Sequence, residues 1–302
     1  MKELKHFTPD YLLNPTHPVS ILLCGVGGTG SQVLTGLARI DYALRKLGHP
    51  GFNVTAYDGD QVSEANIGRQ LFSESDIGQN KATILIGRIN RFFGQRWLAQ
   101  PKHLSTDMDA QERTNFLITC VDTVKARRDC VAAFKKLQKN SHPYTQQYYW
   151  LDYGNTKNTG QIVLGTFEET KQPKGRKYTT VGKLPTLLEM YPDLEDDEAT
   201  LREEPSCSVM EALSRQDLMI NTILANLGTD MLFRMFREGG LQHQGIFYNG
   251  PEILIAKIPL PAPLPDSKQV KKPAKKAAKA NLQTLIAPPD RACAAIVSSL
   301  IV

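Results

Sequence analysis

With 302 residues the chain has room for one large α/β domain or two modest ones, and for a core that needs no covalent staples. Hydrophobic residues at 41% and charged residues at 22% give a globular balance, which excludes a wholly disordered, collagen-like or membrane-embedded protein. The formal charge of +5 belongs to residues 261–302, where seven Lys/Arg face two acids; taking these from 36 and 31 leaves 29 basic and 29 acidic residues in 1–260, so attraction to polyanions would sit in a tail and not on the fold.

The amino-terminal MKELKHFTPDYLLNP lacks the apolar stretch of a signal peptide, and no run approaches the ~20 apolar residues of a membrane span, so a cytoplasmic location is expected. Val19 to Cys24 (VSILLC) reads as a buried strand that stops at a glycine cluster. Gln32 to Leu47 follows as a helix, with apolar residues at Val33, Leu34, Leu37, Ile40 and Leu44. A second strand, Phe52 to Tyr57, ends in Asp58-Gly59-Asp60, and Lys81 opens a helix through Ile84, Leu85, Ile89 and Phe92. A third strand, Phe116 to Val121, ends at Asp122 before a helix through Val131, Phe134 and Leu137. This alternation predicts an α/β, Rossmann-like, mostly parallel sheet with helices on both faces and ligands at the carboxyl ends of its strands.

The second half is less regular. Tyr144 to Trp150 (YTQQYYW) reads as partial core packing, Gly160 to Phe167 as a strand, and the polar residues 169–206 as a crossover loop or insertion whose acidic run, Asp193 to Glu198, is solvated. Ser208 to Phe236 has helical spacing throughout and predicts one long buried helix, opened by a Ser208/Glu211 capping box. Gly245 to Pro259 predicts a hairpin turning at Asn249-Gly250, and beyond Pro261 lies a Lys/Ala/Pro-rich tail. The predicted domain is therefore 1–260, with 261–302 appended.

Gly25-Val26-Gly27-Gly28-Thr29-Gly30-Ser31 lies between a strand and a helix, where glycines let the backbone approach a polyphosphate and the helix N-terminus offers unpaired N–H groups. Asp58, at the next strand end, is placed to accept from ribose hydroxyls, although it lies about a dozen residues beyond the ~20 of a dinucleotide fold. Downstream, Arg69 and Lys81 add cations that hydride transfer does not need and triphosphate cleavage does. Asn66 and Arg69 would share one side if their segment is helical.

D-x-D-x-V-x-x-x-N-x-x-R-Q from Asp58, then G-x-x-K ending at Lys81, after the GxGGxGS loop, resembles the ThiF/MoeB family of activating enzymes, related to the ubiquitin-activating enzymes. Cys120 to Arg128 is similar to the family's acid-ended strand, and Gly154 to Phe167 to its glycine-glutamine strand, so the likeness covers residues 19–167. A closer likeness is to the ThiF-like proteins of bacterial PRTRC gene clusters, in the extended first helix and the Pro205-Ser206-Cys207-Ser208 element. The resemblance implies an ATP-dependent adenylyltransferase with a ThiF/MoeB-type adenylation domain. Such an enzyme adenylates the C-terminal glycine carboxylate of a small ubiquitin-like or sulfur-carrier protein and releases pyrophosphate.

By position, the resemblance gives Gly25, Gly27, Gly28 and Gly30 the phosphate loop, Asp58 the ribose, Asn66, Arg69 and Lys81 the phosphates, and Asp122 the positioning of Mg2+; Asp60 ranks below these. A homodimer is implied as well. The chain departs from the family in three places. Thr123 stands where Asn is usual, no paired C-x-x-C zinc elements occur, so no zinc is expected, and the first eighteen residues hold no arginine to lend a partner subunit.

Of Cys24, Cys120, Cys130, Cys207 and Cys293, an odd set with no C-x-x-C pair, Cys207 is the candidate for a covalent transfer step, since a helix dipole there would favour thiolate. Cys24, Cys120 and Cys130 read as packing residues, and no pair of the six histidines has metal-ligand spacing. Two other readings stand beside the activating enzyme: a non-catalytic nucleotide-binding scaffold of the same fold, and an NAD-dependent oxidoreductase.

Overall fold

The computed structural model describes residues 2–106, 114–137, 143–175, 177–195 and 209–262. Four parallel strand pairs come first in the chain: β2 (Val19–Cys24) lies between β3 (Phe52–Tyr57) and β5 (Phe116–Thr119), with β4 (Leu98–Gln100) outside β3 and β6 (Tyr149–Asn155) outside β5. Then the sheet turns antiparallel through β7 (Thr159–Thr166), β10 (His243–Asn249) and β11 (Leu254–Pro259), giving eight strands in the order β11-β10-β7-β6-β5-β2-β3-β4. After β4 the chain returns to the other side of β2, and this reversal opens a crevice at the carboxyl ends of β2, β3 and β5.

Alternation along each strand sorts side chains to two layers. Ile21, Leu23, Phe116, Ile118, Tyr149 and Leu151 face one core with α2 (Gly28–Lys46), α3 (Lys81–Phe93) and α7 (Ile220–Arg237). Leu22, Cys24, Leu117 and Trp150 face the other, closed by Cys130, Val131 and Phe134 of α4 (Val124–Lys136) and Leu187 of α5 (Leu187–Met190). Both faces of the central strands are covered, which is why they read as continuous apolar runs. The extra length between the glycines and Asp58 is taken up by α2, 19 residues long, and its following turn.

Several expectations are corrected. The helix expected over Ser208–Phe236 is two, α6 (Val209–Arg215) and α7; between them Asp217 N–H donates to Lys157 O (2.8 Å), diverting the backbone from the helical ladder. A buried face runs along α7, whereas Met210 and Leu213 of α6 are exposed. In the hairpin, four residues, Gly250 to Ile253, join the strands in place of a two-residue turn, because Asn249 pairs directly with Leu254. Strand β5 stops at Thr119, two residues short of Val121.

Within the crossover, the described part holds β8 (Thr179–Thr180) and α5. An amino-terminal strand that the sequence did not suggest, β1 (Leu4–Phe7), runs parallel to β8 and antiparallel to β9 (Gly240–Leu241). His6 anchors it: the fully buried ring bonds Val181 O and the Tyr149 hydroxyl, both at 2.6 Å.

Candidate functional site

Gly25 leaves β2 with φ +82°, and a Cβ there would fall 2.7 Å from Cys120 O; its N–H donates to Tyr57 O (2.9 Å). A Cβ at Gly30 would lie 1.9 Å from Gly25 O, so the first turn of α2 folds back on the loop as only glycine allows. Gly27 is the N-cap of α2 and, lacking a side chain, leaves the first-turn N–H groups uncapped at the crevice. The glycine loop and the helix N-terminus expected from the sequence are thus in place, with Gly28 and Gly30 inside the helix.

Asp58, at the end of β3, is buried and bonds two backbone N–H groups: Val26 N–H to Oδ2 (2.7 Å) and Asp60 N–H to Oδ1 (2.9 Å). Burial raises its pKa above the usual aspartate value, against the pull of these N–H groups and of Lys81. Asn80, the N-cap of α3, secures the same turn by donating to Asp58 O (2.8 Å) while its Oδ1 accepts from Thr83 N–H (3.0 Å).

Beside this turn lies a cavity of about 380 Å3 lined by Asp60, Gln61, Ser63, Ala65, Asn66, Arg69 and Lys81. The structure therefore brings together the three predicted phosphate contacts, and the acid ranked below them lines the same space. No helix spans Asn66 and Arg69, however: the 3-10 turn Glu64–Asn66 ends before Gly68, whose φ of +75° redirects the chain, and both side chains line the cavity all the same. Asn66 Oδ1 accepts from Ser63 N–H (3.0 Å) and fixes the turn.

The two cations differ in their charge balance. Lys81 Nζ pairs with Asp60 Oδ2 at 3.0 Å. Arg69 meets no carboxylate among the described residues; its Nη1 donates to the neutral Gln216 Oε1 (2.6 Å), and its Nε is buried without a hydrogen-bond partner. Burial lowers the Arg69 pKa, though not enough to remove a guanidinium's charge. The neighbouring Gln70 Oε1 is likewise buried without a partner, and the Gln70 amide stands 3.6 Å from where a Cβ on Gly27 would be. Among the described residues these two polar atoms lack partners, the Gln70 oxygen beside the glycine loop and Arg69 Nε on a residue that lines the cavity, and a polar ligand would complete their hydrogen bonding.

Asp122 is exposed at the carboxyl end of β5. Its neighbour Thr123 caps α4, accepting from Ala126 N–H (3.1 Å), so the residue that departs from the family pattern has a local use. No group of three or more His, Cys, Asp or Glu gathers in a metal-binding arrangement among the described residues. A single carboxylate suits Mg2+, which takes few protein ligands and relies on phosphates and water. Cys24 and Cys130 are buried, and burial raises the Cys24 and Cys120 thiols well above the usual range, which makes them poor nucleophiles. Cys207 and Cys293 lie outside the described residues, as do Ser208 and the tail from 263.

Sequence reasoning missed Gln216 and Asn221. Gln216 Oε1 also accepts from Asn221 Nδ2 (2.8 Å), and Asn221 Oδ1 accepts from Thr29 Oγ1 (2.8 Å) in the first turn of α2. Nothing local marks these residues, since their partners are 147 and 192 positions away. The buried Arg127–Asp152 pair, Nε to Oδ1 at 3.0 Å, was also missed as a pair, although Arg127 lies in a quoted motif.

The ThiF family model, described as "ThiF family", matches residues 13–301. No curated protein matches the chain. Among solved structures, PaaA is 13% identical with a TM-score of 0.51 over 80% of this chain and 64% of its own. E. coli MccB is 17% identical with a TM-score of 0.51 over 83% and 63%. The MccB structure with ATP gives 17%, 0.50, 83% and 65%. This chain thus spans a little under two thirds of those structures, and at such identities the likeness is one of fold.

Proposed function

The chain belongs to the ThiF family, and from that premise we propose that it is an ATP-dependent adenylyltransferase that activates the C-terminal carboxylate of a small ubiquitin-like or sulfur-carrier protein. The observation that carries this reading is Arg69, without a counter-charge among the described residues, in a cavity shared with Asn66 and the Lys81–Asp60 pair, next to the turn that Asp58 ties to the glycine loop. A half-buried cation with no counter-charge among the described residues suits a ligand that brings several negative charges. MccB has been solved with ATP and with MccA, which supports ATP as one reactant and a bound partner as the other.

In the reaction a carboxylate oxygen attacks the α-phosphorus; the new O–P bond forms as the α–β bridging bond breaks and pyrophosphate leaves with its electron pair. Asp58 has unused lone pairs for ribose hydroxyls, and the glycine loop with the α2 N-terminus receives phosphate oxygens. Arg69 and Lys81 face the charge that grows on the leaving pyrophosphate, the arginine through a planar fork and the lysine as a point charge. Asp122 would help to hold Mg2+, which would supply further neutralisation of the phosphate charge.

We take residues 1–260 as the adenylation domain and 261–302 as an appended segment, and place the chain in a homodimer in a reducing cytoplasm. The 19-residue α2 supports placing it near the PRTRC group. Transfer to Cys207 is the further step of this proposal: the thiolate attacks the acyl carbon of the adenylate, the acyl–oxygen bond breaks, and AMP leaves with its electron pair as the thioester forms. Carrier-dependent exchange of labelled pyrophosphate into ATP tests the whole: exchange that requires a carrier ending in glycine is the expected result. Binding of ATP without exchange would favour the scaffold reading, and binding of NAD in place of ATP the oxidoreductase.

A further inference from the structure

We infer that Gln216 is a positioning residue for Arg69, holding the guanidinium at the cavity by a neutral acceptor so that its charge stays available to the nucleotide phosphates; this rests on the adenylation reading above. The amide orientation follows from its partners. One oxygen, Oε1, accepts both Arg69 Nη1 (2.6 Å) and Asn221 Nδ2 (2.8 Å), so it must be the oxygen that faces them. Asn221 is itself buried and fixed by Thr29 Oγ1 (2.8 Å), so the arginine is referenced to the first turn of α2 through two amides. Arg69 and the glycine loop thereby keep one geometry although they lie in different segments.

The choice of an amide has an electrostatic reason. Lys81 is already paired with Asp60 at 3.0 Å, and an acid at 216 would pair with Arg69 in the same way, leaving both cations compensated before any phosphate arrives. Gln216 gives direction without a counter-charge. It engages Nη1, and Nε has no partner among the described residues, so the fork is oriented but not saturated.

The test is a double-mutant cycle on the full chain, measuring MgATP affinity by displacement of a fluorescent ATP analogue, with thermal melting alongside. Gln216→Leu should weaken binding about tenfold and Arg69→Ala about a hundredfold, while adding Gln216→Leu to Arg69→Ala should cost less than twofold. An unchanged affinity in Gln216→Leu, or an equal loss in both backgrounds, would overturn the assignment. Gln216→Glu keeps both acceptor contacts and should still weaken MgATP binding tenfold or more, because its carboxylate neutralises Arg69; binding as in wild type would also overturn it. A wild-type chain that binds no ATP overturns the proposed function and this inference together. A wild type that binds ATP regardless of residue 216 overturns the inference alone.

Discussion

Val26 and Asp58, 32 residues apart, are joined by a 2.7 Å hydrogen bond from the Val26 backbone N–H to Asp58 Oδ2, so the glycine loop after β2 is fastened to the end of β3 by the residue assigned to the ribose. One carboxylate thus shapes the loop and, on the proposed reading, would also meet the ribose. Asp58→Asn can accept only one of its two backbone N–H groups, since the amide nitrogen would confront the other as donor to donor. A loss of about 1–3 kcal/mol in denaturant unfolding is expected, together with weaker ATP binding. Weaker binding with unchanged stability would mean that the loop does not depend on this carboxylate.

Arg69→Ala should lower carrier-dependent pyrophosphate exchange by roughly two to three powers of ten if the guanidinium meets charge developing in the transition state. Arg69→Lys restores charge without the fork and should recover only part of the rate. Normal exchange in the alanine variant would remove Arg69 from the mechanism.

Cys207→Ser separates adenylation from transfer. With ATP and the carrier, a reductant-sensitive adduct on a denaturing, non-reducing gel is expected from the wild type and not from the serine variant, while pyrophosphate exchange persists in both. An adduct that survives the substitution assigns the covalent step elsewhere.

The Arg127–Asp152 pair is buried, and Asp152 also accepts from Thr119 Oγ1 (2.5 Å) while Arg127 Nη2 donates to Tyr153 O (3.1 Å). Burial raises the Asp152 pKa against the pull of Arg127 and Thr119. Arg127→Met strands a carboxylate in the core and should cost about 3–5 kcal/mol, whereas Arg127→Met with Asp152→Leu should recover most of it. Equal losses in the single and double variants would show that packing, and not the stranded charge, sets the cost.

His6 links stability to pH. Burial, against the Val181 hydrogen bond, lowers its pKa from 6.5 to about 4, so the unfolded chain takes up a proton that the folded chain refuses. Its contribution is complete above pH 6.5 and is lost as pH falls through that value toward about 4. The loss between pH 7 and pH 4 amounts to roughly 3 kcal/mol. Comparing the pH dependence of urea unfolding in wild type and His6→Gln checks this: the slope should flatten in the variant across that window.

The parallel half of the fold was legible because β2 and β5 are mostly apolar on both faces and each of the three strands is followed by a glycine or an aspartate, at Gly25, Asp58 and Asp122. The break between α6 and α7 was not, because apolar spacing runs through Leu213, Leu218 and Ile220 and the diversion comes from Lys157 O in a distant turn. Phosphate-site candidates could be read from Asn66, Arg69 and Lys81 as local motif positions. Their supports could not, since Gln216 is a lone polar residue whose importance lies in an arginine 147 positions earlier.

The strand Leu4–Phe7 is clamped between a two-residue strand of the crossover and another just after α7, by short ladders and the His6 contacts. None of the three pieces can keep its pairing once the middle one leaves, so they form a single unit of local opening. Amides such as Thr179 and Val181, bonded to Glu3 O and Lys5 O, should then exchange with solvent deuterium at one common rate. That rate would be faster than in the central sheet, and the amino terminus would serve as the latch through which the crossover loosens without the nucleotide end of the sheet coming apart.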